Sequence, residues 1–143
     1  MEYIPTTDKF VVILNKKIST GKLMNAIGHM TAGLVSLYSD DLQPLRFQVY
    51  TDKDGTNHHN ISDNPYIVLR ADNSNQIRTL RNQIIERNIK FTDFIDTMTE
   101  GTYVDQHERT NNTTEADLAY FGICFFMNSE ESKELTKKFS LFN

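Results

Sequence analysis

Cysteine is nearly absent from this chain. The 143 residues hold one, Cys124, inside the apolar run Ala119–Met127. A lone thiol excludes an intrachain disulfide framework, and its apolar setting marks a buried core residue rather than a nucleophile, which needs a partner base and access. Long hydrophobic runs are absent too. Phe10–Leu14 and Ile123–Met127 stop far short of the ~20 residues that cross a bilayer, so no membrane partner is expected. Positive charge is in short supply. A formal net charge of −4 argues against a general nucleic-acid binder, which carries a basic footprint. Met1–Asp8 shows no basic start followed by an apolar stretch, so the expectation is no secretory signal and a cytoplasmic, reducing setting. Internal repeats, low-complexity tracts and linkers are missing as well, and one domain over 1–143 is expected.

What is present is globular in kind: 38% hydrophobic and 24% charged residues, in a chain long enough to bury a core without a metal or disulfide staple. Lys9–Asn15 reads as a strand buried on both faces. Ser19-Thr20-Gly21 reads as a turn with a helix N-cap, and Lys22–Tyr38 as a long helix ended by Asp40, Asp41 and Pro44. Arg46–Tyr50 and Pro65–Arg70 read as strands on either side of a polar loop, 51–64. Ile77, Leu80, Ile84 and Ile85 give helical spacing to Asn73–Asn88, and Lys90–Ile95 reads as a strand. A polar stretch, 97–117, has no clear period, which fits a lid, binding loop or disordered segment. A strand at Leu118–Met127 and a helix at Ser129–Phe139 close the chain. The order predicts an α/β fold, a three-layer α/β/α arrangement around a central mixed β-sheet.

On a wheel of the first helix, Leu23, Ile27, Met30, Leu34 and Leu37 form an apolar stripe for the sheet. Lys22, Asn25, Ala26, His29, Gly33 and Ser36 fall opposite, bordered by Gly28 and Ala32. Glycine inside a helix costs ~1 kcal/mol relative to alanine, so Gly28 and Gly33 call for a close approach by another backbone or a ligand. Lys22 and His29 stand out over this flat ground, two turns or roughly 10 Å apart. Lys22 lies in the first turn, where free N–H groups favour an anion, so a phosphate near Gly21 and Lys22 is physically reasonable. The spacing is not that of a Walker A loop.

The run Thr20-Gly21-Lys22-Leu23-Met24-Asn25-Ala26-Ile27-Gly28-His29 resembles the first helix of type-two peptidyl-tRNA hydrolases, which carry Gly-Lys at its start and His seven residues after the Lys. Pro65–Asp96 is similar to that family's strand–helix–strand, and Leu118–Phe142 to its closing strand and helix. The resemblance is closer still to a bacterial family of unknown function sharing that fold, on Asp52–Asn64 and Asp93-Phe94. It implies a peptidyl-tRNA hydrolase type-two-like fold and hydrolysis of peptidyl-tRNA or a related aminoacyl or peptidyl nucleotide ester. Lys22 would contact phosphate or developing negative charge, His29 would act as general base, and Asp96 would position His29 or the water. Gly21, Asn25 and Thr99 would help to bind, Thr97 and Thr102 being further candidates for the family's threonine. No cofactor is implied, and the partner would be tRNA or a small phosphorylated ligand. Thr20 stands where the hydrolases have a second lysine and Ala26 where they have glutamine. With the acidic charge and long loops, these departures keep open a non-catalytic binding module of the same fold. A homodimer through the small-residue helix face is the third reading.

Other clusters read as structural. His58, His59 and His107 with nearby carboxylates lack recognised metal spacing and fit solvated loops, and no metal is expected. Arg78, Arg81, Arg87 and Lys90 fit a solvated helix face better than a phosphate site. Tyr120, Phe121, Phe125 and Phe126 should be core.

Overall fold

The computed structural model describes residues 1–143. Along the chain run β1 (Asp8–Asn15), α1 (Thr20–Ser36), β2 (Phe47–Thr51), β3 (Asn57–Ser62), β4 (Tyr66–Ala71) and α2 (Ser74–Glu86). They are followed by β5 (Phe91–Ile95), α3 (Tyr103–Asn111), β6 (Tyr120–Asn128), α4 (Ser129–Thr136) and β7 (Ser140–Leu141). Five strands form one sheet in the order β5-β6-β1-β4-β7. β1 runs parallel to β4 and antiparallel to β6, so the sheet is mixed.

Alternation along the central strands sorts side chains into two cores. Val11 and Ile13 join Ile77, Leu80, Ile84 and Leu135, beneath α2 and α4. Phe10, Val12 and Leu14 join Leu23, Ala26, Met30 and Leu34 of α1 on the other face. Three layers result, as the element order predicts. Cys124 is fully buried in the α1-side core, where burial pushes its thiol up to about 11.

β6 breaks the alternation once. Phe94 pairs with Gly122 but Ile95 with Tyr120, so Phe121 is an extra residue that bulges the strand. The bulge turns both Phe121 and Gly122 toward α1: Phe121 lies in the α1-side core, and a Cβ on Gly122 would meet Met30 Cε at 2.9 Å.

Several expectations need correction. The first helix starts at Thr20, with Ser19 at the cap position but no side-chain cap bond. Residues 51–64 are not a loop, because Asn57–Ser62 pairs with β2 as a separate two-stranded hairpin. Residues 97–117 hold regular structure: Thr102 and Asp105 form a reciprocal capping box that starts α3, a local signal that apolar periodicity does not register. Arg78 and Arg81 are neither solvated nor free for phosphate. Arg78 donates to Glu115 Oε2 at 2.9 Å and to the Leu118 carbonyl at 2.6 Å. Arg81 donates to Asp93 Oδ2 at 2.7 Å and covers the Phe91 ring.

Candidate functional site

α1 is seated by Leu23, Ala26, Met30 and Leu34, all buried. Ala26 therefore belongs to the packed stripe, and Leu37, which is exposed, does not. Beside that stripe run Lys22, Asn25, His29 and Gly33, spaced by three and four residues along one edge of the helix. This edge faces β5. A Cβ on Gly33 would lie 3.3 Å from Thr92 Cγ2, and Thr92 Oγ1 donates to the Met30 carbonyl at 2.8 Å. Gly33 thus has the close approach its presence implied, made by the chain's own edge strand. Gly28 has none, with nothing within 4 Å of an added Cβ.

Beyond β5 the chain rises into a wall. Asp96–Met98 forms a 3-10 turn, and α3, which fully buries none of its residues, is fastened to it by polar bonds. Arg109 donates to the carbonyls of Thr97 at 3.0 Å and Glu100 at 3.2 Å, and Thr110 Oγ1 to Thr97 Oγ1 at 2.8 Å. A cleft lies between this wall and α1. One lobe, ≈ 380 Å³, is lined by Asn25, His29, Thr92, Met98, Thr99 and Gln106 among others. The adjoining lobe, ≈ 240 Å³, is lined by Gly21, Lys22, Asn25, Thr99, Glu100 and Phe121 with Phe94. Asn25, Phe94 and Thr99 belong to both, so the two lobes are contiguous. Phe94 underlies them, its ring centroid 6.0 Å from that of His29 and 5.8 Å from that of Phe121.

Five of the six expected site residues therefore meet in one cleft: Gly21, Lys22, Asn25, His29 and Thr99. Asp96 does not line it. Its backbone N–H donates to the Ala119 carbonyl at 2.9 Å, and its Oδ1 accepts from Ala119 N–H at 3.1 Å. The side chain thus adds one rung to the β5–β6 ladder just past its end, and no hydrogen bond joins Asp96 to His29. Of the threonine candidates, Thr97 is buried against α3 and Thr102 caps it, leaving Thr99 at the cleft. Thr99 is held by its own Oγ1 bond to the Asp96 carbonyl at 2.8 Å. Gln106 and Glu100 were not singled out from the sequence, and Phe94 only within the Asp93-Phe94 pair that carries the resemblance. Glu100 and Gln106 sit in the stretch without apolar period, so only the Thr102–Asp105 cap spacing could have marked them.

A pair of substitutions separates the two roles open to Asp96. Asp96→Ala strips Ala119 N–H of its partner and is expected to cost about 1–3 kcal/mol. Asp96→Asn keeps an acceptor oxygen, so chemical denaturation should find it within about 1 kcal/mol of the parent. A collapse of catalytic rate in the stable Asn variant would instead assign the carboxylate to His29 or to water.

A larger concavity, ≈ 610 Å³, lies on the opposite face between α2 and α4. It gathers amide side chains and lysines, including Gln76, Gln83, Lys137 and Lys138, but no imidazole. Size alone does not make it the site of chemistry.

Residues 8–143 match the family model described as protein of unknown function, DUF2000. The chain belongs to that family. A solved structure of a protein of unknown function from Agrobacterium tumefaciens strain C58 is similar to this DUF2000 domain with a TM-score of 0.80. At 18% identity, over 96% of this chain and 98% of that one, the likeness is one of fold. No curated protein matches the chain.

Proposed function

We propose that the cleft between α1 and the Met98–Gln106 wall binds an aminoacyl or peptidyl nucleotide ester, peptidyl-tRNA included, and hydrolyses it. The reading joins the helix resemblance to type-two peptidyl-tRNA hydrolases with one observation that carries it. An ammonium group and an imidazole, Lys22 and His29, open onto two lobes of a single cleft joined at Asn25 and Thr99. Lys22, in the first turn of α1, would take a phosphate with help from free helix N–H groups. His29 would draw a proton from the water that attacks the ester carbonyl and return it to the ribose oxygen as the ester C–O bond breaks, and Asn25 and Thr99 would hold the ester between them. Asp96 acts here as a positioning residue, fixing the turn that carries Thr99.

The test is release of peptide from peptidyl-tRNA by the purified protein, set beside the Lys22→Ala, His29→Ala double variant. Equal rates would end the catalytic reading. A second reading, a non-catalytic module for a small phosphorylated ligand, is favoured by the engagement of Asp96 with Ala119, which leaves His29 without a carboxylate to orient it. Under that reading, nucleotides raise the melting temperature without turnover, and Lys22→Ala abolishes the rise.

A further inference from the structure

The hairpin of β2 and β3 is the least explained part of the fold. It forms a sheet of its own, and nearly every residue in it is exposed, with Val49 at 44%, Tyr50 at 51% and Ile61 at 55%. Two strands alone are marginal in water and gain stability from a third strand or a packed layer. Open strand edges in native proteins are normally blunted by charge, proline or a bulge. The extra residue of this hairpin lies in β3, because Gln48 pairs with Ile61 and Tyr50 with His58. β2, Phe-Gln-Val-Tyr-Thr, keeps a regular edge with no charge and no proline.

The direction of that edge follows from the bonds at its ends. The Arg46 carbonyl accepts from Asp63 N–H, and Asp52 N–H donates to the Thr56 carbonyl, so both residues turn inward to their own hairpin. Backbone groups alternate along an antiparallel strand. Gln48 and Tyr50 therefore also face inward, while Phe47, Val49 and Thr51 present N–H and C=O groups to the open side. No backbone bond reaches them from residues 1–7 or from elsewhere outside the hairpin.

The geometry points to a second copy of this chain as the occupant of the β2 edge, with the two β2 strands antiparallel about a two-fold axis at Val49. In that register Val49 pairs with Val49, and Phe47 with Thr51 in both directions, so each outward residue exchanges two hydrogen bonds. A continuous four-stranded sheet results. Charge is compatible with the same register: Arg46 and Asp52 flank the paired segments, so Arg46 of one copy comes to the end of the strand that leads into Asp52 of the other. Both are already anchored, Arg46 on the carbonyls of Ile4 and Pro5 and Asp52 on His58 Nε2 at 2.9 Å. This contact leaves the α1 cleft open, unlike a dimer through the helix face, and is independent of what the cleft does.

Sedimentation equilibrium on the full chain is expected to approach twice the 16.5 kDa monomer mass as concentration rises. Val49→Lys places like charges at the axis and should raise the dissociation constant at least about tenfold. The dilute monomer should keep its melting temperature, because the side chain is exposed and no bond within the hairpin is lost. Val49→Cys should form an intermolecular disulfide on mild oxidation, since a hydrogen-bonded antiparallel pair sets Cα atoms about 5.5 Å apart, within disulfide reach. Cys124 is buried and does not compete. A monomer at every concentration overturns the proposal. So does a dimer that Val49→Lys leaves intact and Val49→Cys fails to cross-link.

Discussion

His29→Ala is expected to slow ester hydrolysis by about 100- to 10,000-fold, the usual worth of a positioned general base. The loss should fall on kcat, because in the proposed reaction His29 would meet the attacking water rather than the nucleotide. Lys22→Ala should raise KM more than it lowers kcat, since in the proposed complex its ammonium would meet phosphate in the ground state as well as the transition state. The split follows from geometry: the two side chains open onto different lobes joined at Asn25 and Thr99, where the proposed ester would lie. Steady-state kinetics of both single variants on one peptidyl-tRNA checks it. A His29→Ala enzyme with the parent's kcat would remove imidazole from the mechanism.

Gly122→Ala should overpack the centre of this fold. Its Cβ would meet Met30 Cε at 2.9 Å, Leu14 Cδ2 at 3.0 Å and the Ile13 carbonyl oxygen at 3.1 Å. Met30 has a flexible end and can retreat, but Leu14 and the β1 backbone sit in the packed centre of the sheet. Overpacking of this kind costs about 1–3 kcal/mol, or a fall in melting temperature on the order of 5–10 °C for a domain of this size. Met30 also lines the His29 lobe, so its retreat narrows the cleft. Trimming the neighbour gives room back, so Gly122→Ala should cost less in a Met30→Ala background than in the parent. A lone Gly122→Ala as stable as the parent would show that the bulge in β6 relaxes freely.

The three layers were legible because β1 and β6 are apolar on successive residues, which only a strand covered on both faces can be, and because α2 repeats its apolar residues at helical spacing. The α1 edge was legible as well, although Ala26 was placed on the wrong side of it. Alanine is small enough for either face, and only the seating of the helix decides. Elements stabilised by polar chemistry stayed hidden. β3, with the sequence Asn-His-His-Asn-Ile-Ser, has no apolar alternation and is drawn into a strand by its pairing with β2. α3 rests on a capping box and on Arg109, not on a buried face. Asp96 was the subtler case. Its position at the end of β5 was right, yet the ladder with β6 runs one rung past the strand and takes the carboxylate with it. Pairings of this kind depend on Ala119, a residue too plain to signal them.

The proposed chemistry requires that a nucleotide ester lodge against the edge of α1. Nuclear magnetic resonance of the isotope-labelled protein, titrated with an aminoacyl-nucleotide analogue whose ester is replaced by an uncleavable amide, addresses this most directly. The His29 ring and the amides of Asn25 and Thr99 should shift together and saturate, while Gln83 and Lys137 across the sheet stay still. Shifts confined to the α2–α4 groove, or none at any attainable concentration, would contradict it.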